Sequence, residues 1–144
     1  NLQELQTIIH HQMPIKIFLI NNHGYHSIRQ TQSNFFGEPF VGIGYDSGDL
    51  SFPEMEKLAG AYGYPYIKIE KNEQLGEQIE KTLAIKGPAI CEVMVSIDQK
   101  FEPKSATKRL EDGTLVSPPL EDLAPFLSRE ELEKNMLIPM VEDR

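Results

Sequence analysis

At 144 residues, 40% of them hydrophobic, the chain has one domain's length and can bury a real core. A formal net charge of −8 and a pI near 5.0 leave no basic stripe to offset phosphate repulsion, which excludes nucleic acid as a partner class. One cysteine, no apolar run of membrane-spanning length and no charged-then-apolar opening argue against a disulfide framework and a membrane protein, and make the cytoplasm the default expectation.

In chain order, Asn1 and Glu4 have capping-box spacing, and Leu2, Leu5, Ile8 and Ile9 recur at helical intervals. An amphipathic helix is expected there, ending near His11 because Pro14 biases its predecessor to extended geometry. An opening on a helix cap predicts that Asn1 is a cut end, with a strand and loop upstream. His10 and His11 read as solvated residues at a helix C-terminus; neighbours on a helix diverge and do not form a ligand pair.

Ile15, Ile17, Phe18, Leu19 and Ile20 form an apolar run that halts at Asn21, Asn22 and Gly24, the pattern of a buried parallel strand meeting its loop. Ligands of open α/β sheets bind beyond the carboxyl ends of strands, so this junction is the leading candidate site. An amide oxygen and a carbonyl freed by a glycine turn are hard donors suited to Mg²⁺ or Ca²⁺. The same residues equally build a plain Asn-Gly turn, and alone they do not separate the two readings.

Tyr25 to Gln32 lacks breakers and predicts a helix whose first-turn N–H groups and dipole suit a phosphate. Phe35, Phe36, Pro39 and Phe40, with Val41-Gly42-Ile43-Gly44, read as an irregular aromatic segment, either core packing or one wall of an apolar pocket. Ser51 and Glu54 repeat the capping-box spacing ahead of Met55, Leu58, Ala59 and Tyr62, a helical face that Gly63 can end in left-handed geometry. Tyr66–Ile69 is a second strand, Asn72 a cap for a helix carrying Leu75, Ile79, Leu83 and Ala84, and Ala89–Val95 a third strand with Cys91 as a buried structural thiol.

Strands separated by such helices predict an α/β fold: a doubly wound, mainly parallel sheet with helices on both faces, part of a three-layer domain with at least one strand missing. From Asp98 the composition turns irregular, with Asp112-Gly113 as a hairpin signal and Ser128 and Glu131 capping a last helix through Met136. Leu137, Ile138, Pro139, Met140 and Val141 form an apolar tail that calls for a partner surface. The expected organisation is a ligand-binding domain over 1–97 and a C-terminal extension over 98–144 that packs on that domain or on a partner subunit.

The order of helix, Pro-Ile-Lys-Ile-Phe strand and Asn21-Asn22-His23-Gly24-Tyr25 resembles the second half of the fingerprint of thiamine-diphosphate enzymes, which starts with Gly-Asp-Gly and ends at Asn-Asn. Phe52 to Gly63 resembles a helix of that family's C-terminal diphosphate-binding domain, and Gly87 to Val93 the strand after it. The likeness covers 1–97 and is to acetolactate-synthase-like large subunits.

The resemblance implies thiamine diphosphate and Mg²⁺ as cofactors, with the Asn22 side chain and the Gly24 carbonyl as metal ligands and His23 between them. Two diphosphate oxygens, a water and an aspartate outside this chain would complete the octahedron. Asn21, Tyr25, His26, Ser27 and Ile28 would help bind the cofactor, His26 and Ile28 being as readily a surface histidine and a core isoleucine. The implied reaction is decarboxylation of an α-keto acid followed by carboligation. No catalytic residue is expected in this fragment, because the family's activating glutamate comes from a pyrimidine-binding domain, normally of a second subunit in a homodimer or homotetramer. The fragment alone is therefore expected to be inactive. Thr31 stands where acetolactate synthases carry the tryptophan that shapes the acceptor pocket, which implies a different second substrate. The other readings are a simple thiamine-diphosphate 2-keto acid decarboxylase, a non-catalytic α/β assembly module, and a fold for another phosphorylated ligand. The lack of Gly-x-Gly-x-x-Gly and of a P-loop disfavours a nucleotide.

Overall fold

Three parallel strands set the frame of the computed structural model, which describes residues 1–140. The chain divides into two compact units, one of Asn1–Gln99 and one from Lys100 onward. In the first, α1 (Glu4–His10), β1 (Lys16–Asn21), α2 (His26–Phe35), α3 (Met55–Tyr62), β2 (Tyr66–Ile69), α4 (Leu75–Ala84) and β3 (Ala89–Met94) follow one another. Helices alternate with parallel strands in the order β1-β3-β2, an α/β architecture.

The last strand in sequence lies in the middle of the sheet. Lys16 to Asn21 pair with Ala89 to Met94, while Tyr66 to Ile69 pair with Ile90 to Val93. Ala89, Ile90, Cys91 and Glu92 are consecutively buried, as a strand covered on both faces requires. Ile90 joins Ala59 and Tyr64 in a cluster with Leu5, Ile8, Ile9 and Ile17, which fastens α1 and α3 to one face. The Tyr64 hydroxyl closes that cluster by donating to the Leu5 carbonyl at 2.9 Å. Cys91 alternates to the opposite face and is wholly buried, as its apolar neighbours predict. Each fully buried isoleucine, such as Ile69, contributes about 1.5–3 kcal/mol.

The 14–25 stretch was expected to hold a buried strand, but β1 is at the edge of the described sheet and Ile20 is 59% exposed, because its outward side chains have no covering element among the described residues. At the chain start, Glu4 N–H donates to the Asn1 carbonyl at 3.2 Å, and a backbone turn replaces the expected side-chain cap. Nor does Ser51 cap α3. Glu54 is itself the N-cap there, because Pro53 holds its predecessor extended and Phe52 is tied to the Tyr45 hydroxyl. Asn72 opens a 3₁₀ turn, and the Gln74 oxygen accepts from the Glu70 and Lys71 N–H groups before α4. The His10 and His11 rings meet edge to face at 4.8 Å, since His11 is already outside the helix. Gly63 ends α3 at φ 76°, as expected.

The second unit carries a hairpin of β4 (Lys108–Arg109) and β5 (Leu115–Val116), its turn set by Gly113 at φ 86° and by Thr114 N–H donating to Asp112 Oδ1. Ser128 Oγ accepts from Glu131 N–H at 3.2 Å and opens α5 (Arg129–Asn135), the cap expected from the spacing. Beyond it Leu137 and Ile138 are exposed; Val141, the last residue of the expected tail, lies outside the described residues.

Candidate functional site

At the carboxyl end of β1 the chain reverses over four residues. Asn21 is anchored to β3 twice: its carbonyl accepts from Val95 N–H at 2.8 Å, and its Nδ2 donates to Glu92 Oε1 at 2.5 Å. Its Oδ1 accepts from His23 N–H at 3.0 Å, an Asx turn that carries His23 to φ 60°. Gly24 then bridges to Gly44, with Tyr25 N–H donating to the Ile43 carbonyl at 2.7 Å. In that pairing Gly24 is a non-hydrogen-bonded partner, so its carbonyl points away from the 43–44 segment. A Cβ on Gly24 would stand 2.1 Å from the Ile43 oxygen, and one on Gly44 would stand 2.3 Å from the His23 oxygen.

Loop 41–49 supports this turn. Arg29, buried on α2, grips Asp46 with two bonds, Nε to Oδ2 at 3.1 Å and Nη2 to Oδ1 at 2.7 Å, which holds the Asp46 carboxyl below the usual range. Gln32 donates to and accepts from the Val41 backbone at 2.7 and 2.9 Å. Ser47 Oγ accepts from the Ile43 and Gly44 N–H groups. Asp49 accepts from Ser47 Oγ and from Gly42 N–H, and both bonds lower its carboxyl. Tyr25 and Tyr45 each meet the Phe52 ring edge to face at 5.7 Å.

The structure gathers the expected residues 21 to 28 into one turn and the opening of α2, with different tasks for each. Both ends of the Asn21 amide are engaged within the protein, so it holds the turn. Asn22 and Gly24 are half-buried, and His23 is exposed. Tyr25 is the N-cap of α2 and packs on Phe52. His26 is buried while Ser27 and Ile28 are exposed, the reverse of a surface histidine and a core isoleucine. Thr31 is exposed and its hydroxyl donates back to the Ser27 carbonyl at 3.1 Å. Arg29, Asp46, Ser47, Asp49 and Glu92 were not singled out from sequence. The close Gly42-x-Gly44 and Ser47-x-Asp49 pairs were the available signal.

Among the described residues no group of three or more His, Cys, Asp or Glu is placed to hold a metal ion. The oxygens of the turn itself, from Asn21 to Gly24, are amide and peptide oxygens. The Asn22 side chain and the Gly24 carbonyl fit Mg²⁺ as neutral hard donors, which would leave the ion's charge for a diphosphate. First-turn N–H groups, those of Ser27 and Ile28 among them, have no intrahelical acceptor and suit its oxygens.

Sheet and turn define an α/β domain of the class that binds ligands beyond the carboxyl ends of parallel strands. Residues 1–93 match the family model described as thiamine pyrophosphate enzyme, C-terminal TPP binding domain. Relatives include the acetolactate synthase large subunit of Cyanidium caldarium, 31% identical over 106 residues, which are 74% of this chain and 18% of that protein. The chloroplastic acetolactate synthase 3 of Brassica napus is 33% identical over 98 residues, 65% of this chain and 15% of its own. The mitochondrial acetolactate synthase of Schizosaccharomyces pombe is 30% identical over 100 residues, 69% of this chain and 14% of its own. The chain belongs to the thiamine pyrophosphate enzymes, its residues 1–93 matching their C-terminal TPP-binding domain. It spans less than a fifth of the length of these relatives. Their names include chloroplastic and mitochondrial proteins, so the likeness does not carry the expected cytoplasmic location. No helix among the described residues is long and apolar enough to cross a membrane.

Proposed function

We propose that the whole protein is a thiamine-diphosphate- and Mg²⁺-dependent enzyme that decarboxylates an α-keto acid and joins the product to a second carbonyl, as acetolactate synthases do. The reading is supported above all by the turn at 22–24, which offers two oxygens at a sheet's carboxyl rim inside the family-matched span. When bound, thiamine diphosphate supplies the carbon nucleophile and the electron sink for decarboxylation. Asn22 Oδ1 and the Gly24 oxygen hold the Mg²⁺ ion, and the opening of α2 receives the diphosphate. Asn21 keeps the turn in register. No catalytic group is assigned to these residues; proton transfer to the cofactor belongs to a pyrimidine-binding domain, supplied by a second subunit of a homodimer or homotetramer. Residues 98–144 are assigned to a C-terminal extension with a role in that assembly.

Thr31 in place of the family's tryptophan supports an acceptor other than the usual one, since a short hydroxyl side chain leaves more polar space beside α2. The test uses the full-length protein: CO₂ release from a panel of 2-keto acids, with thiamine diphosphate titrated at fixed Mg²⁺. Asn22→Ala is expected to weaken cofactor binding about tenfold or more, as one contact to a charged group is worth about 1.5–3 kcal/mol. Unchanged titration in that variant, or no Mg²⁺-dependent cofactor binding by the parent protein, would refute the proposal.

A further inference from the structure

The middle strand carries a charged group where an apolar side chain is expected. Glu92 lies on β3 between β1 and β2 and is only 5% exposed. Burying a carboxylate destabilises a fold unless both oxygens find donors. Here the donors come from the two neighbouring strands: Asn21 Nδ2 reaches Oε1 at 2.5 Å and the Tyr66 hydroxyl bonds Oε2.

The chemistry of these partners fixes an orientation. The Glu92 oxygen accepts, and so draws the NH₂ of the Asn21 amide toward β3. The amide oxygen must then face the other way, where it accepts His23 N–H at 3.0 Å and closes the turn around Asn22 and Gly24. With the amide reversed, two N–H groups would confront one another at His23 and two acceptors would confront one another at Glu92.

We infer that Glu92, buried one strand away from the turn, is a positioning residue for the cation: through Asn21 it fixes the turn that presents the Asn22 and Gly24 oxygens. This inference rests on the reading of those two oxygens as Mg²⁺ ligands. Tyr66 supports it from the far side by occupying the second oxygen, so that the carboxylate cannot rotate away from Asn21.

An exchange of charge between the two strands tests it in the full-length protein, with Mg²⁺-dependent thiamine diphosphate binding measured by equilibrium dialysis beside the apoprotein melting temperature. Asn21→Asp sets two carboxylates against each other and is expected to weaken binding about 10–100-fold, the range typical of groups that orient metal ligands. Adding Glu92→Gln to that variant restores the bond with its polarity reversed, Gln Nε2 donating to the new carboxylate while Gln Oε1 still accepts from Tyr66. Affinity is expected to return most of the way. The inference is overturned if Asn21→Asp binds as the parent does, if the double exchange recovers nothing, or if only melting temperature changes. Those results with Asn22→Ala still impaired would leave the metal reading standing, whereas unimpaired Asn22→Ala would remove that reading itself.

Discussion

Gly24 and Gly44 lie so close that a Cβ on either would overlap the other segment's carbonyl oxygen, at 2.1 Å from Ile43 and 2.3 Å from His23. Backbone cannot yield as a flexible side-chain tip does, so the contact requires glycine on both sides. Gly24→Ala and Gly44→Ala are each expected to destabilise the protein by about 1–3 kcal/mol, the usual cost of overpacking. Thermal melting of the apoprotein checks this, and a parent-like melting temperature in both variants would contradict the observed contact.

The Arg29–Asp46 pair leads to a prediction about acid. Asp46 has a lowered carboxyl in the folded protein, first because Arg29 bonds it, so its contribution is complete above the unfolded aspartate value and fades as pH falls through the lower folded value. Stability should therefore decline below about pH 4, and Asp46→Asn should flatten part of that decline while lowering stability at neutral pH by about 1.5–3 kcal/mol. Urea unfolding between pH 3 and pH 7, run on both proteins, decides it; parallel curves would refute the assignment.

Two glycines of α3 should answer the same substitution with opposite signs. Gly63 holds a left-handed φ of 76° at the helix end, where Ala is strained by about 1–2 kcal/mol. Gly60 is exposed within the helix, with nothing within 4 Å of an added Cβ, and Gly60→Ala should stabilise by about 0.5–1 kcal/mol. Chemical denaturation midpoints of the two variants should fall on either side of the parent's.

Ser128→Ala removes the side-chain N-cap of α5 and should cost that helix about 1 kcal/mol. Hydrogen exchange is the suitable measurement, with faster exchange expected in residues 130–135 and none in β3.

What the sequence disclosed follows from the range of the forces involved. Tyr66–Ile69 was legible to the residue because a short alternating run stands between Pro65 and a polar turn. The hairpin at Asp112-Gly113 and the cap at Ser128 were legible because their partners lie within four positions. Ser51 has the same spacing to Glu54 as Ser128 has to Glu131, and yet it forms no cap, since Phe52 is claimed by Tyr45 seven residues earlier. Pairings over longer spans left no local trace: Arg29 finds Asp46 across 17 positions, and Asn21 finds Glu92 across 71. In a chain with 22 acidic residues, periodicity cannot tell which one a given arginine or amide will meet. The turn at 21–24 was recognisable from its residue types; the loop that braces it was not.

Cys91 is the chain's single cysteine and lies wholly enclosed on the central strand, between β1 and β2. A thiol-reactive dye cannot reach it while the packing over its face of the sheet stays closed. In this stretch of polypeptide the rate of labelling is thus a clock for opening of the core over the central strand.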